Sequence, residues 1–171
     1  MKVLFLDIDG VLNSSDNLIA LSLLRRDLNT PDSDIHGHLF DERCVRYLTW
    51  IVNKTDCKIV ISSSWRVAGY GRMVELWKDR NLPGEVIDIT RRNSKVFDEV
   101  RQIYRTFDCR GEEILDWLTH SAIPIESYCI VDDDSDMLES QKSNFVKVKA
   151  KFGLTKELSD EIIEILNRSD K

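Results

Sequence analysis

The chain has 171 residues, of which 42% are hydrophobic and 32% are charged. This composition is typical of a globular protein with enough apolar material for a buried core, and it excludes a disordered chain. The net charge of -6 argues against wrapping long nucleic acid by electrostatics alone, although a local basic patch is compatible with it. The length predicts one domain over residues 1–171.

No apolar run approaches the length of a membrane span, and the first is interrupted by Asp7 and Asp9, so we expect neither a signal peptide nor a membrane helix. The four cysteines form no C-x-x-C pair. This pattern predicts neither a disulfide framework nor a zinc knuckle, and it favours a reducing, cytoplasmic setting. The oligomeric state stays open.

Short β-rich runs alternate with segments of helical spacing, which predicts an α/β fold with a mainly parallel sheet of five strands. In chain order the predicted elements are strand Lys2 to Leu6, helix Asp41 to Asn53, strand Lys58 to Ile61, helix Val74 to Arg80, strand Glu85 to Ile89, helix Val96 to Phe107, helix Glu112 to His120, strand Tyr128 to Val131, strand Phe145 to Val148 and helix Lys156 to Asn167. The first and fourth strands are almost wholly apolar, as expected of strands that helices cover on both faces.

Residues 14–40 are predicted to leave the sheet as a flap. The apolar part, Leu18 to Leu28, favours a short helix, and the polar run after it favours a loop. His36 and His38 flank Gly37 there, and we expect them to lie in a mobile polar loop rather than to act as ligands.

The first strand runs directly into two carboxylates, Asp7 and Asp9, followed by Gly10. Carboxylates at the mouth of a buried strand are costly unless they are hydrogen-bonded, paired or bound to a cation. Gly10 permits a tight turn that leaves both acids facing one space. A cation site is therefore the economical interpretation.

The fourth strand also ends in acids, with Asp132, Asp133, Asp134 and Asp136 in five residues. One interpretation is a solvated acidic turn that caps a helix. However, ligands of parallel sheets bind outside the carboxyl ends of the strands, where these acids would meet Asp7 and Asp9. Hard oxygen ligands in such a cluster suit Mg²⁺.

Two further segments carry polar groups of interest. The second strand is followed by Ser62, Ser63, Ser64, Trp65 and Arg66. Each serine is either an ordinary helix cap or a ligand at the same sheet edge, and the edge role fits Ser62 best because it follows the strand directly. The predicted helix near residue 112 is preceded by Arg110, a cation that opposes the helix dipole. Arg110 is either a surface residue or is held there to meet an anion.

In this order the four segments resemble the four motifs of the haloacid dehalogenase (HAD) superfamily. The spelling Ser-Ser-Ser-Trp-Arg, Arg-Gly-Glu-Glu-Ile and Asp-Asp is similar to small HAD domains linked to RNA-repair proteins and polynucleotide phosphatases. The resemblance covers Lys2 to about Met137. It implies a Rossmann-like three-layer fold and phosphomonoester hydrolysis through an aspartyl-phosphate.

Position by position, the resemblance implies the following roles. Asp7 is the nucleophile, Asp9 the general acid and base, Ser62 a phosphate ligand with Ser63 as the alternative, and Arg110 a charge neutraliser. The implied Mg²⁺ ligands come from Asp7, Asp9, Asp132, Asp133 and Asp136, with either Asp132 or Asp133 binding directly. Substrate contacts are expected from Gly10, Ser63, Trp65 and Arg66. The third motif more often has lysine, so Arg110 is a departure from the family pattern.

The gaps between motifs leave no room for a large cap domain, so the site is expected to be open. We expect the substrate to be a phosphorylated small molecule or a nucleic-acid end. The basic balance from Arg91 to Arg110 favours 3′-phosphorylated nucleic acid, if Lys95, Arg101 and Arg105 form one helix face. A small-metabolite phosphatase and a catalytically inactive HAD scaffold are the alternatives. A receiver domain is excluded because its acceptor aspartate falls mid-chain, where this chain has Ser62.

Overall fold

The computed structural model describes residues 1–92, 95–98 and 102–168. The strands are β1 (Lys2–Leu6), β2 (Ser33–Asp34), β3 (Gly37–His38), β4 (Lys58–Ile61), β5 (Val86–Ile89), β6 (Lys95–Asp98), β7 (Ile103–Thr106), β8 (Ser127–Asp132) and β9 (Phe145–Lys147). The α-helices are α1 (Ser15–Leu28), α2 (Glu42–Thr55), α3 (Tyr70–Asp79), α4 (Arg110–His120) and α5 (Lys156–Leu166). Short 3-10 helices span Ser64–Ala68 and Glu139–Asn144.

The main sheet has five parallel strands in the order β5-β4-β1-β8-β9, which confirms the predicted α/β architecture. β1 lies at its centre. In the register, Leu6 is paired with Ile61 of β4 and with Val131 of β8. The chain segments that follow these three strands therefore emerge side by side at the carboxyl edge of the sheet.

Helices cover both faces of the sheet, which explains the apolar sequence of β1. Leu4 and Leu6 belong to the larger core, with residues of α2 and α5 such as Leu48 and Ile162. Val3 and Phe5, on the opposite face, belong to a smaller core with Ile114 of α4. Successive residues of a strand point to opposite faces, so a strand between two helical layers is apolar at every position.

The flap contains helix α1 and the β2–β3 hairpin. The predicted short helix starts at Ser15 rather than Leu18, with the Ser14 hydroxyl accepting a hydrogen bond from Asn17 N. The loop predicted around His36 is the turn of this hairpin, and its histidine side chain has a partner. His36 Nε2 lies 2.9 Å from Asp79 Oδ2, and this side chain is only 4% exposed.

A bidentate ion pair also holds this hairpin. Arg80 Nε and Nη2 donate to the two carboxylate oxygens of Asp34 at 2.9 and 2.7 Å, and Nη2 also donates to Gly37 O. The guanidinium stacks over the Phe40 ring at 4.4 Å. The flap hairpin is thus docked against the end of α3.

The predicted helix from Val96 to Phe107 was wrong. Its described parts are the antiparallel strands β6 and β7, with Phe97 paired with Tyr104 in the register, and residues 99–101 lie outside the described residues. Apolar residues spaced by about four indicate a helix, but three of the four residues from Ile103 to Thr106 are aromatic or β-branched, which favours a strand. The predicted basic helix face disappears with the helix. Arg105 instead pairs with Glu112 of α4 at 2.5 Å, and Arg101 lies outside the described residues.

None of the helices in the described residues is long and apolar enough to cross a membrane.

Candidate active site

Acids from β1 and β8 meet at the carboxyl edge of the sheet. Asp7, Asp132 and Asp133 each place a carboxylate oxygen within 4.8 Å of the others. This geometry follows from the register, since Asp7 N donates to Val131 O at 3.0 Å and ties the two strand ends together. Asp7 and Asp132 are buried, whereas Asp133 is half-buried.

Gly10 allows the acid from β8 to approach β1. A Cβ atom at residue 10 would lie 2.4 Å from Asp133 Cγ, which is closer than real contacts allow, and Gly10 has a φ of +74°. Both observations require glycine at this position. Gly10 therefore shapes the site through Asp133, and the substrate contact expected of it stays a prediction.

Hydrogen bonds from the chain offset the burial of the three carboxylates only in part. Burial raises the pKa of all three, and for Asp132 burial together with the charge of Asp7 raises the pKa to about 7. Asp132 Oδ2 is buried and accepts no hydrogen bond from the described part of the chain. Clustered, desolvated carboxylate oxygens of this kind fit a divalent cation with hard-ligand preference, such as Mg²⁺.

Arg110 reaches the same edge from the start of α4. Its Nη1 lies 3.7 Å from Asp7 Oδ1 and donates a hydrogen bond to Ser62 O, and its Nε lies 3.4 Å from Asp132 Oδ2. The guanidinium is thus held between the two buried acids. The sequence left open whether Arg110 is a surface residue, and its side chain is only 19% exposed.

Asp136 compensates the unfavourable start of this helix. Its Oδ2 accepts a hydrogen bond from Arg110 N at 2.9 Å, and its main-chain oxygen accepts from Gly111 N. Cys109, at the N-cap position, makes no such side-chain bond. Among the described residues the Asp136 carboxylate is outside the three-acid group, so the structure gives it contacts of a capping residue.

The structure separates the two serines. The Ser62 hydroxyl is buried and lies 3.5 Å from the Thr90 hydroxyl, its hydrogen-bond donor. The Ser63 side chain makes a hydrogen bond to Asp7 that lowers the pKa of this carboxyl against the larger effect of burial. Ser63 is therefore the serine whose side chain contacts the candidate nucleophile. Whether Ser62 or Ser63 contacts the phosphate stays a prediction.

Asp9 has different surroundings from the three grouped acids. It is exposed, and among the described residues its carboxylate lies outside their group. Its Oδ2 accepts hydrogen bonds from Trp65 Nε1 at 2.9 Å and from the Ser64 hydroxyl at 3.4 Å. Asn13 Nδ2 donates to its Oδ1 at 3.4 Å.

Arg66 is buried rather than presented to solvent. Its Nη2 donates to Glu113 at 2.5 Å and its Nη1 donates to Ser63 O at 2.7 Å. This ion pair connects the turn after β4 to helix α4. Neither the sequence around Arg66 nor that around Glu113 predicts the contact. Arg66 also borders a recess of about 250 Å³ beside the site, whose lining residues are Ser64, Arg66, Arg92, Phe107, Asp108, Cys109, Arg110, Glu113 and Asp136.

The fold and the site define a Rossmann-like α/β protein with a group of acids at the carboxyl edge of its sheet. Residues 3–158 match the family model described as the HAD domain in Swiss Army Knife RNA repair proteins, and the chain belongs to this family. Membership supports a phosphatase or hydrolase of the HAD type in general. Neither the curated proteins nor the solved structures gave a match.

Proposed function

We propose that the chain is a Mg²⁺-dependent phosphomonoesterase that forms an aspartyl-phosphate on Asp7. The observation that carries this proposal is the position of the Asp7 carboxylate. It lies at the sheet edge beside a guanidinium 3.7 Å away, a serine hydroxyl, and two further carboxylates within 4.8 Å. These are the parts that in-line phosphoryl transfer requires: an anionic nucleophile, charge neutralisation and ligands for a divalent ion.

In the first step, an Asp7 oxygen attacks phosphorus while the bond from phosphorus to the ester oxygen breaks. Asp9 gives its proton to that ester oxygen, so the leaving group departs as a neutral alcohol. In the second step, Asp9 takes a proton from water as the water oxygen attacks phosphorus. Inorganic phosphate leaves, and the Asp7 carboxylate is restored.

The protein groups around Asp7 support both steps. Arg110 neutralises negative charge on the transferring phosphoryl group, because its guanidinium is already held within reach of Asp7. Ser63 orients the Asp7 carboxylate through its hydroxyl. Asp7, Asp132 and Asp133 would hold Mg²⁺, which supplies further charge neutralisation at the phosphoryl oxygens when bound.

We further propose that 3′-phosphorylated nucleic-acid ends are the substrate. The family description, RNA repair, supports this class. So does the β6–β7 hairpin, where Phe97 and Tyr104 are 47% and 72% exposed with ring centroids 5.2 Å apart. Exposed aromatic rings stack on bases of any sequence. Arg105 anchors this hairpin to Glu112 on the first turns of α4, close to Arg110.

Phosphate release and covalent trapping test the catalytic proposal. The wild-type protein with Mg²⁺ is expected to hydrolyse p-nitrophenyl phosphate and to retain phosphate on Asp7 after acid quench. Asp7→Asn should remove both signals and leave the thermal unfolding transition in place. A folded wild-type protein without turnover on any phosphoester would favour the inactive-scaffold alternative, and turnover by Asp7→Asn would assign the nucleophile elsewhere.

A phosphoester panel ranked by kcat/KM tests the substrate proposal. We expect 3′-phosphorylated oligonucleotides to rank above mononucleotides and small metabolites. Phe97→Ala should raise KM for the oligonucleotide by about 5-fold or more, since one stacked base is worth roughly 1–3 kcal/mol, without changing p-nitrophenyl phosphate hydrolysis. Phe152→Ala is the matched control, because Phe152 is also an exposed aromatic residue (48%) and lies outside the β6–β7 hairpin, in the segment that follows β9. Equal or reversed ranking would favour a small-metabolite phosphatase.

A further inference from the structure

Asp9, the general acid of the proposed mechanism, receives its best hydrogen bond from an indole. Trp65 Nε1 donates to Asp9 Oδ2 at 2.9 Å, whereas the bonds from Ser64 and Asn13 are both 3.4 Å long. A carboxylate on an exposed turn has several rotamers open to it, and a short bond to a rigid donor selects one of them. The indole donor is therefore the main constraint on the direction in which Asp9 points.

The turn after β4 connects this donor to the nucleophile. Ser63 is the N-cap of the 3-10 helix, and its hydroxyl accepts a hydrogen bond from Trp65 N at 3.4 Å. The Ser63 side chain also contacts Asp7. A single turn of the chain thus contacts Asp7 through Ser63 and Asp9 through Trp65.

The flap packs against the other side of the indole. The Phe40 ring lies 5.5 Å from the Trp65 ring between centroids, and the guanidinium of Arg80 lies 5.9 Å from it. At Gly37, which has a φ of +116°, a Cβ atom would come within 3.1 Å of Trp65 Cη2. Asp34 holds Arg80 and Asp79 contacts His36, so the hairpin itself is fixed. The indole is consequently braced along the edge opposite its N–H group.

We infer that Trp65 is a positioning residue for Asp9, and that the β2–β3 hairpin keeps its indole in place. The role rests on the proposed function, because it is expressed through proton transfer by Asp9. Trp65 does not touch the transferring phosphoryl group in this account. It fixes the carboxyl group where the proton must be given to the ester oxygen and later taken from water.

Leaving-group dependence separates this role from ordinary packing. Para-substituted phenyl phosphates have the same geometry around phosphorus and the ester oxygen but differ in how much they need a proton on the departing oxygen. Trp65→Phe keeps an aromatic ring at this position, and it removes the N–H donor together with part of the ring volume. The phosphorylation rate in the first turnover is expected to fall about 10-fold for phenyl phosphate and to change less than about 3-fold for p-nitrophenyl phosphate, within the range of general acid catalysis.

Trp117→Phe is the matched control. Trp117 Nε1 also donates to an aspartate, Asp88 Oδ2, at 2.7 Å, but neither residue lies at the acidic edge. This variant should lose comparable packing and leave the leaving-group dependence unchanged. An equal fall for all leaving groups in Trp65→Phe, or the same steepening in Trp117→Phe, would overturn the inference.

Two further measurements keep the inference testable if Trp65→Phe does not fold. Ser64→Ala removes the weaker donor to the same oxygen and should steepen the dependence less than Trp65→Phe does. In the NMR spectrum, the indole N–H resonance of Trp65 should move in Asp9→Ala and stay in place in Asp134→Ala. An unmoved resonance in Asp9→Ala would contradict the inference whether or not the protein is a phosphatase. Absence of phosphatase activity in the wild-type protein would instead count against the proposed function.

Discussion

Carboxylates at the acidic sheet edge and in or next to the flap have opposite electrostatic surroundings. At the edge, burial raises the pKa of Asp7, Asp132 and Asp133. In the flap, the hydrogen bonds from Arg80 lower the pKa of Asp34 to about 2. At the N-cap of α2, just after the flap, hydrogen bonds from Arg43 likewise lower the pKa of Asp41, against the opposing effect of burial.

The difference shows where the folded chain satisfies its own charges and where it does not. Asp34 in the flap and Asp41 just after it each have a guanidinium nitrogen at 2.7 Å, so their negative charge favours folding. At the edge, one guanidinium lies among three acids, and Asp132 Oδ2 accepts no hydrogen bond from the described residues. Unsatisfied carboxylate oxygens at this sheet edge are expected where binding of a cation supplies the missing interaction.

Removing an edge acid should therefore abolish activity without lowering stability. Asp133→Asn is expected to reduce turnover on the order of 10³-fold, because loss of metal binding removes about 4 kcal/mol of transition-state stabilisation. The unfolding free energy of the metal-free variant should stay within about 0.5 kcal/mol of wild type or rise. Initial rates and urea unfolding in chelator measure the two effects. Asp134→Asn, an exposed neighbour, is the control and should change neither. A large loss of stability in metal-free Asp133→Asn would contradict the assignment.

Adding Mg²⁺ should compensate the edge acids. At a concentration 100 times the dissociation constant, a ligand of the folded state alone stabilises it by about 2.7 kcal/mol. We expect such an increase in the unfolding free energy of wild type and of Asp134→Asn, but not of Asp133→Asn. Denaturant unfolding with and without Mg²⁺, at matched ionic strength, measures it. An equal increase in Asp133→Asn would place the cation elsewhere.

Asp136, close to the acidic edge, differs from the three grouped acids because its carboxylate accepts a hydrogen bond from the backbone N–H of Arg110. Asp136→Ala should lower the unfolding free energy by about 1 kcal/mol, because Arg110 N loses its hydrogen bond at the start of α4. The increase caused by Mg²⁺ should remain. Asp134→Ala is the matched control, since among the described residues its carboxylate accepts a hydrogen bond from its neighbour Ser135 N and does not cap α4. Loss of the Mg²⁺ effect in Asp136→Ala would instead support the metal role that the sequence resemblance implied for this residue.

The sheet and its acidic edge were predictable because their causes are local in sequence. Strands β1 and β8 are apolar at nearly every position and run straight into acids, which is typical of buried parallel strands with a site at their carboxyl ends. Asp7, Asp132 and Asp133 accordingly lie together. Gly10 was recognisable for the same reason, since the turn it permits is adjacent in sequence to Asp9.

The contacts that orient the site were not predictable from local patterns. Trp65 meets Asp9 across 56 positions of the chain, and Arg66 meets Glu113 across 47. Only tertiary packing brings such pairs together, and the sequence of each partner is compatible with a surface role. The capping contact of Asp136 had one signal in the sequence. Helix α4 starts after Cys109, whose side chain makes no capping hydrogen bond, so another residue was needed to cap it.

The β6–β7 hairpin illustrates a different limit. Apolar residues near positions 96, 100, 103 and 107 fit a helical period, yet the four residues of β7 are better suited to a strand. Periodicity counts positions, whereas the β-branched and aromatic character of the residues decides which backbone they favour. The error mattered, because it replaced an exposed aromatic pair by a basic helix face as the expected contact for nucleic acid.

The smallest expected effect concerns Asp34 and its pH dependence. Its pKa is about 2 in the folded protein, against an ordinary value of 3.8 that applies to the unfolded chain. The ionised, paired carboxylate therefore stabilises the folded state fully above a pH of about 4, and this stabilisation is lost as the pH falls through about 2. Asp34→Asn should lower the unfolding free energy by less than about 1 kcal/mol near neutral pH, because solvent screens a partly exposed pair.

The difference between wild type and Asp34→Asn should stay constant from about pH 7 to pH 5 and narrow below about pH 4, as measured by urea unfolding at each pH. Asp27→Asn is the control, because Asp27 pairs with Arg26 where both side chains are more than half exposed, and it should change stability little at any pH. A difference that widens on acidification would mean that Asp34 is not held as an anion by Arg80. Asp34 would then be an unsatisfied acid like those at the acidic sheet edge. A contact other than the Arg80–Asp34 pair would have to hold the hairpin against Trp65.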